Sequence, residues 1–157
     1  MRKIRSQAGF TIIEVMLVTM IIGVLAAMVL PSVRLNTARV KVSEAMLAAG
    51  PCRNMVSEIY ISGGDPPTPG NWGCEIISNA STYVDSVNIV DDFGTIEVSL
   101  RGFNDLRIDF HNLTLAPLDN TGNLPSSTGV QVRRWRCGSQ ADGTDVPAQF
   151  LPATCKG

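Results

Sequence analysis

Six side chains limit what chemistry this 157-residue chain can do: Glu14, His111 and four cysteines. Glu14 is the sole charged residue among the 21 positions from Phe10 to Leu30. Even on the lenient insertion scale, an acid at the centre of a membrane helix costs roughly 2.5–3.5 kcal/mol. Near a helix start the cost falls, because the N-terminal dipole favours negative charge. Such a carboxylate either caps the helix at the headgroups or awaits a cation. Cys52, Cys74, Cys137 and Cys155 allow three disulfide connectivities. Zinc is a poor alternative, since there is no CxxC and His111 is the single histidine. With no nucleophile motif and no glycine-rich phosphate loop, the residues suggest no catalytic set, no cofactor and no metal.

These residues must be placed by longer elements. Residues 10–30 would make roughly 30 Å of helix at about 1.5 Å per residue, the thickness of a bilayer's hydrocarbon core. Arg2, Lys3 and Arg5 precede them without an acid, which predicts a cytoplasmic N-terminus and a C-terminal part outside, where cysteines can pair. The formal charge is −1; without the three leader bases, ten bases face fourteen acids, a charge of −4. That balance is not suited to nucleic acid or to an acidic membrane surface.

One helix is expected from Phe10 to about Ser62, where Ser62, Gly63 and Gly64 break the pattern. In its second half Ala38, Val42, Ala45, Ala49, Cys52, Val56 and Ile59 form a stripe along one face. Pro31 and Pro51 each lack an N–H and predict kinks. Gly23 and Pro31 bracket the stretch that should bend or unwind most easily. Residues 63–73, with seven Gly or Pro in eleven positions, predict a loop. Strands are expected over 83–90, 95–100, 106–118 (bent or broken) and 130–136, with a hairpin turn at 91–94. Short gaps favour antiparallel pairing, and the helix stripe can cover one face of the sheet. His111 is expected on a strand.

The leader and "GFTIIEV", followed by the apolar run to Pro31 and by "TAR" at 37–39, resemble the class III leader and N-terminus of type IV pilins, closest to the type IVa group. The resemblance implies the α+β pilin ladle fold, with a long N-terminal helix packed on a four-stranded antiparallel sheet. It implies a leader, 1–9, removed by a prepilin peptidase that cuts between Gly9 and Phe10, and N-methylation of Phe10. It also implies a transmembrane and assembly helix, 10–35, with Thr11 and Glu14 in the assembly role, and melting or kinking between Gly23 and Pro31. The globular domain would be 36–157: the amphipathic helix half, an αβ loop at 63–82, a sheet at 83–136 and a disulfide-bounded C-terminal region at 137–155. The ending "WRC…QFLPATCKG" resembles that region in many type IVa pilins, which supports Cys137–Cys155. The expected companion is Cys52–Cys74, which would pin the Pro/Gly loop to the helix stripe.

The implied function is a structural subunit that waits in the bacterial inner membrane and polymerises into an extracellular helical filament. Its partners would be copies of itself, the prepilin peptidase and the assembly machinery. Adhesion to a surface or host ligand, twitching motility and DNA uptake are inherited possibilities. The competing readings are a minor pilin, a type II secretion pseudopilin, and, from another class, a monomeric membrane-tethered binding domain. Arg133, Arg134 and Arg136 around Trp135 would alternate across a strand, so strand-edge solvation or subunit salt bridges suit them better than DNA. The sequons at Asn79 and Asn112 are too short to argue from, and "DNTGN" (119–123) falls short of a calcium loop.

Overall fold

The computed structural model describes residues 9–126 and 129–157, apart from the side chains of residues 30 and 31. Residues 1–8, which carry all of the expected leader except Gly9, lie outside that range. Two compact units emerge, Met1–Leu35 and Asn36–Gly157.

Helix α1 spans Ile12–Ala48 and α2 spans Gly50–Ser62. Thr11 starts α1: its carbonyl accepts from Glu14 N at 3.1 Å, and its hydroxyl accepts from the same N–H at 3.4 Å. This is the Thr-x-x-Glu start pattern, in which a hydroxyl satisfies a donor of the first turn. The backbone stays helical through residue 31, so no helix break occurs at Pro31. The one interruption falls at Ala49, because Pro51 has no N–H to offer the carbonyl of Leu47. Beside it, Arg53 Nη2 reaches back to donate to the Met46 carbonyl at 3.3 Å. Val42, Ala45, Ala49, Cys52 and Val56 are fully buried, and Tyr60, not Ile59, ends the stripe. Gly63 in the left-handed conformation, φ 74°, closes α2.

The sheet has the order β1-β2-β3-β4, all antiparallel: β1 Val84–Ile89, β2 Ile96–Leu100, β3 Asn112–Leu118 and β4 Arg134–Cys137. α1 beyond Asn36 and α2 pack on it. Ile96 lies opposite Leu115, and Val98 lies between Val87 and Leu113, so one face is aliphatic and meets the helix stripe. Asp91 folds the first hairpin by accepting from Phe93 N and Thr95 N. Gly94 then approaches α2 so closely that a Cβ there would lie 2.8 Å from a Val56 methyl, and its φ is +84°.

Two strand expectations fail. Residues 130–133 are not strand, and β4 begins only at Arg134. Residues 106–110 form a turn, although Leu106, Ile108 and Phe110 alternate like a strand. Carboxylates win locally: Asp109 accepts from Phe103 N and Asp105 N, and Asp105 accepts from Arg107 N, which curls the chain. Ile108 is buried while Leu106 and Phe110 face water. Phe110 sits at φ 66°, a conformation that costs a bulky residue about 1–3 kcal/mol. His111, expected on a strand, directly precedes β3 instead.

Gly94→Ala should lower stability by about 2–4 kcal/mol, since it combines left-handed strain with overpacking against Val56. The denaturation midpoint of the full chain in detergent measures this; an unchanged midpoint would contradict the close approach.

Candidate assembly site

Three groups of residues from the sequence reading take defined positions. The first is the N-terminal part of α1. Phe10, Ile12 and Ile13 are exposed, as are the large apolar residues through Val29 whose side chains are described. The 18-residue window that qualifies this helix to cross a membrane by length and composition has none of its surface buried. Glu14 interrupts it with one carboxylate, which has no hydrogen-bond or ion-pair partner among the described residues. Thr11 contributes as the cap of the first turn, holding Glu14 N, not its carboxylate. Chemically, the segment offers a lipid-like surface on every side and a single acceptor of positive charge one turn from Phe10.

The second group is the loop between α2 and β1, closed by Cys52–Cys74 with Cα atoms 5.1 Å apart. Glu75 organises it: its carboxylate accepts from Trp72 N at 2.7 Å, Gly73 N at 2.8 Å and Cys74 N at 3.0 Å. The loop then runs along β1, with Ile76 paired to Val87 and Gly70 N bonded to the Ile89 carbonyl. An edge strand is thereby covered.

The third is the C-terminal segment, closed by Cys137–Cys155 with Cα atoms 4.6 Å apart. A loop of this length contributes about 3 kcal/mol through the unfolded state. The segment lies over β3. Thr144 Oγ1 accepts from Thr114 N at 3.0 Å and shares a hydrogen bond with Thr114 Oγ1 at 2.6 Å, both residues being buried. Arg136 Nε donates to Asp142 Oδ2 at 2.6 Å, and Asp145 N donates to the Asn112 carbonyl at 3.1 Å. His111 Nδ1 lies 3.0 Å from Asp145 Oδ2, a close contact without hydrogen-bond alignment. From the helix side, Arg39 Nε reaches the Gln149 carbonyl at 2.9 Å. Of the arginines around Trp135, Arg136 is thus in an ion pair, while Arg133 and Arg134 are exposed. Among the described residues no cluster of His, Cys, Asp and Glu could hold a metal.

A helix bare at one end and sheathed at the other by a doubly stapled sheet is one half of the case; sequence comparison supplies the other. A family model described as Pilin (bacterial filament) matches residues 38–156, and a second, the prokaryotic N-terminal methylation motif, matches residues 4–30. The chain belongs to the type IV pilin family. A type IV major pilin protein of Neisseria gonorrhoeae, PilE1, is 33% identical, over 96% of this chain and 87% of its own length. A fimbrial protein of Neisseria meningitidis is 31% identical, covering 96% and 94%. The fimbrial protein EcpC of Eikenella corrodens is 35% identical, covering 96% and 91%. Pilins are structural proteins, and this one has the family's helix-on-sheet fold with both disulfides in the expected pairs.

Several residues that shape this pilin escape a linear reading. Glu75 looks like any loop acid until its three N–H donors are seen. Thr114 looks like a solvent-facing strand residue until Thr144 covers it. Asp145 carries no signal at all, yet it meets His111 and the sheet's outer face. There burial pushes the Glu97 carboxyl above its ordinary value of 4.5, Asp145 pushes the same way, and a hydrogen bond with Asn112 opposes. The folded pilin therefore holds this proton more tightly than the unfolded chain. Glu97's contribution to stability is greatest below about pH 4.5 and declines as pH rises through the folded value. Glu97→Gln should raise the melting temperature at pH 7 by about 2 °C, with the gain vanishing near pH 4. Equal gains at both pH values would show that Glu97's charge is not what matters.

Proposed function

We propose that this pilin is a precursor that waits in the bacterial inner membrane with residues 10–35 as its membrane and assembly helix, and that it becomes the structural subunit of an extracellular pilus. In this reading a prepilin peptidase hydrolyses the Gly9–Phe10 peptide bond, leaving a carboxylate on Gly9 and an ammonium on Phe10. N-methylation of Phe10 keeps that positive charge. The carboxylate of Glu14 then pairs with the Phe10 ammonium of a neighbouring copy. One observation carries the proposal: the sole charge between Phe10 and Leu30 has no hydrogen-bond or ion-pair partner among the described residues.

The energetics give the pair a role in register. Each buried ion alone is disfavoured by several kcal/mol, and removing one partner of a buried pair costs about 3–5 kcal/mol. A helix docked out of register strands two ions, whereas one stagger satisfies both. Hydrophobic contact between the helices is strong but non-directional, so it cannot select that stagger. The similarity to major pilins over nearly the whole chain supports a major-subunit role. Adhesion, twitching motility, DNA uptake and dependence on an assembly machinery extend from the same reading.

Glu14→Leu and Glu14→Ala should each reduce sheared surface fibres at least tenfold, measured by electron microscopy, while the chain still accumulates in the membrane. Normal fibre abundance in both variants would overturn the ion-pair mechanism. A second expectation concerns Gly23 to Pro31, which is helical in the single chain. Glycine weakens a helix by about 1 kcal/mol and Pro31 leaves the carbonyl of Ala27 without a donor, so this stretch is proposed to lose helical order on assembly. A filament map with unbroken helix from 23 to 31 would reject that.

A further inference from the structure

The loop between β2 and β3 is built rigidly yet holds two large apolar side chains in water. Leu106 is 84% exposed and Phe110 is 82% exposed. The loop is not free to hide them. Ile108 N and Asp109 N both donate to the Asp105 carbonyl at 2.9 Å. Phe110 N donates to the Leu100 carbonyl at 2.8 Å, and His111 N to the Ile108 carbonyl at 3.1 Å. Phe110 is fixed at φ 66°, where Asn or Gly would be unstrained. A strained backbone that displays an aromatic ring breaks two local rules at once, and such breaks gather at functional positions.

A groove of about 350 Å³ lies elsewhere on the same unit. Tyr60, Pro66, Phe93 and Pro125 give it apolar walls, and Asp65 and Asp92 stand beside them. Its parts come from the end of α2, the β1–β2 turn and the β3–β4 connection. In an antiparallel sheet of order β1-β2-β3-β4, those two connections share one end, and the β2–β3 loop is at the other. Knob and groove are therefore separated by at least the length of β2, roughly 14 Å for five residues.

We infer that the Leu106–Phe110 knob of one copy docks into the Tyr60–Phe93–Pro125 groove of a second copy of this chain, a head-to-tail contact between globular units. The inference rests on the filament reading above. A contact between two different patches at opposite ends of a molecule adds copies head to tail, and where the rotation per copy does not close a ring it propagates as an open helical assembly. A second copy fits better than a foreign partner because both halves of the contact are already present on one chain. Arg107, beside Leu106, faces the right chemistry in Asp65 and Asp92. It already carries Asp105 with it, at 2.7 Å, so the apolar side chains supply most of the attraction.

The test places Leu106→Cys and Asp65→Cys together in the full-length chain, oxidises sheared fibres, and separates them on a non-reducing gel. Within one chain the two thiols are beyond the roughly 7 Å Cα limit for a disulfide. The double variant should give a ladder of multimers of this chain, and each single variant should not. A companion variant, Leu106→Ser with Phe110→Asn, should fold at least as well, because Asn accepts the left-handed conformation. It should nevertheless cut fibre yield at least tenfold at an unchanged membrane pool. Fibres that contain the cysteine-pair chain but give no ladder, or a band linking it to a different protein, would overturn the knob-and-groove contact while leaving the filament reading intact. Wild-type fibres from which the unsubstituted chain is absent would overturn both.

Discussion

Apolar helix surface has to be removed from water, and this pilin applies that demand to one helix in two ways. Up to Leu30, Glu14 apart, α1 is apolar on all sides and its described large side chains are exposed. From Val42 onward the same helix, continued by α2, presents a narrow stripe that is fully buried against a sheet. The backbone needs no change of conformation between these regimes, because intrahelical hydrogen bonds serve in lipid and in protein alike. Only the side-chain pattern changes, from all-round to one-sided. The rest of the molecule answers one regime or the other: Glu14 is the sole charge of the bare part between Phe10 and Leu30, and the sheet and its two staples serve the covered part.

The covered part is a three-layer arrangement rather than a helix on a half-solvated sheet. β3 shows why. All of Leu113 to Leu118 is buried, which a strand with one wet face could not show. The helix takes the Leu113 and Leu115 side, and the segment between Cys137 and Cys155 takes the Thr114 side. Threonine suits that second contact because it can pack its methyl while its hydroxyl meets Thr144. Gly138 allows the segment to return: a Cβ there would lie 2.6 Å from the Cys155 carbonyl oxygen. The disulfide holds a chain end with few apolar anchors of its own, chiefly Val146, Phe150 and Leu151.

Besides single exposed residues such as Ile61 and Ile77, two groups of exposed apolar side chains differ in kind. That of α1 is continuous and needs a solvent such as lipid or a bundle of like helices. That of Leu106 and Phe110 is local, held by a hydrogen-bonded turn, and a water-facing groove at the far end of the sheet has walls of matching chemistry. The first kind favours association without specifying geometry. In the assembly proposed above, the local knob contact and the Glu14 ion pair would supply geometry, because a small misplacement forfeits them entirely.

Periodicity carried much of this in the sequence. The all-round apolar run, the stripe from Val42 to Val56 and the alternation of Ile96, Val98 and Leu100 each depend only on where side chains point in a helix or strand, which spacing encodes directly. The stretch around Gly9, Phe10 and Glu14 carries the resemblance to the family, and the ending "WRC…QFLPATCKG" carries the support for Cys137–Cys155. What spacing did not encode was capture of the backbone by side chains and contact between distant groups. Leu106, Ile108 and Phe110 alternate as a strand would, but Asp105 and Asp109 capture the backbone N–H groups that a ladder would need. Thr144 and Asp145 matter only because folding brings them to Thr114 and Asn112, 30 and 33 residues away, whereas Glu75 acts on the N–H groups of its own loop. Local propensity is a property of neighbours in the chain and was determined there. Coverage of the second face of β3, the placing of the turn at Phe110 and the separation of knob from groove were decided by tertiary packing, because burial and hydrogen-bond satisfaction are settled only once the whole surface is formed.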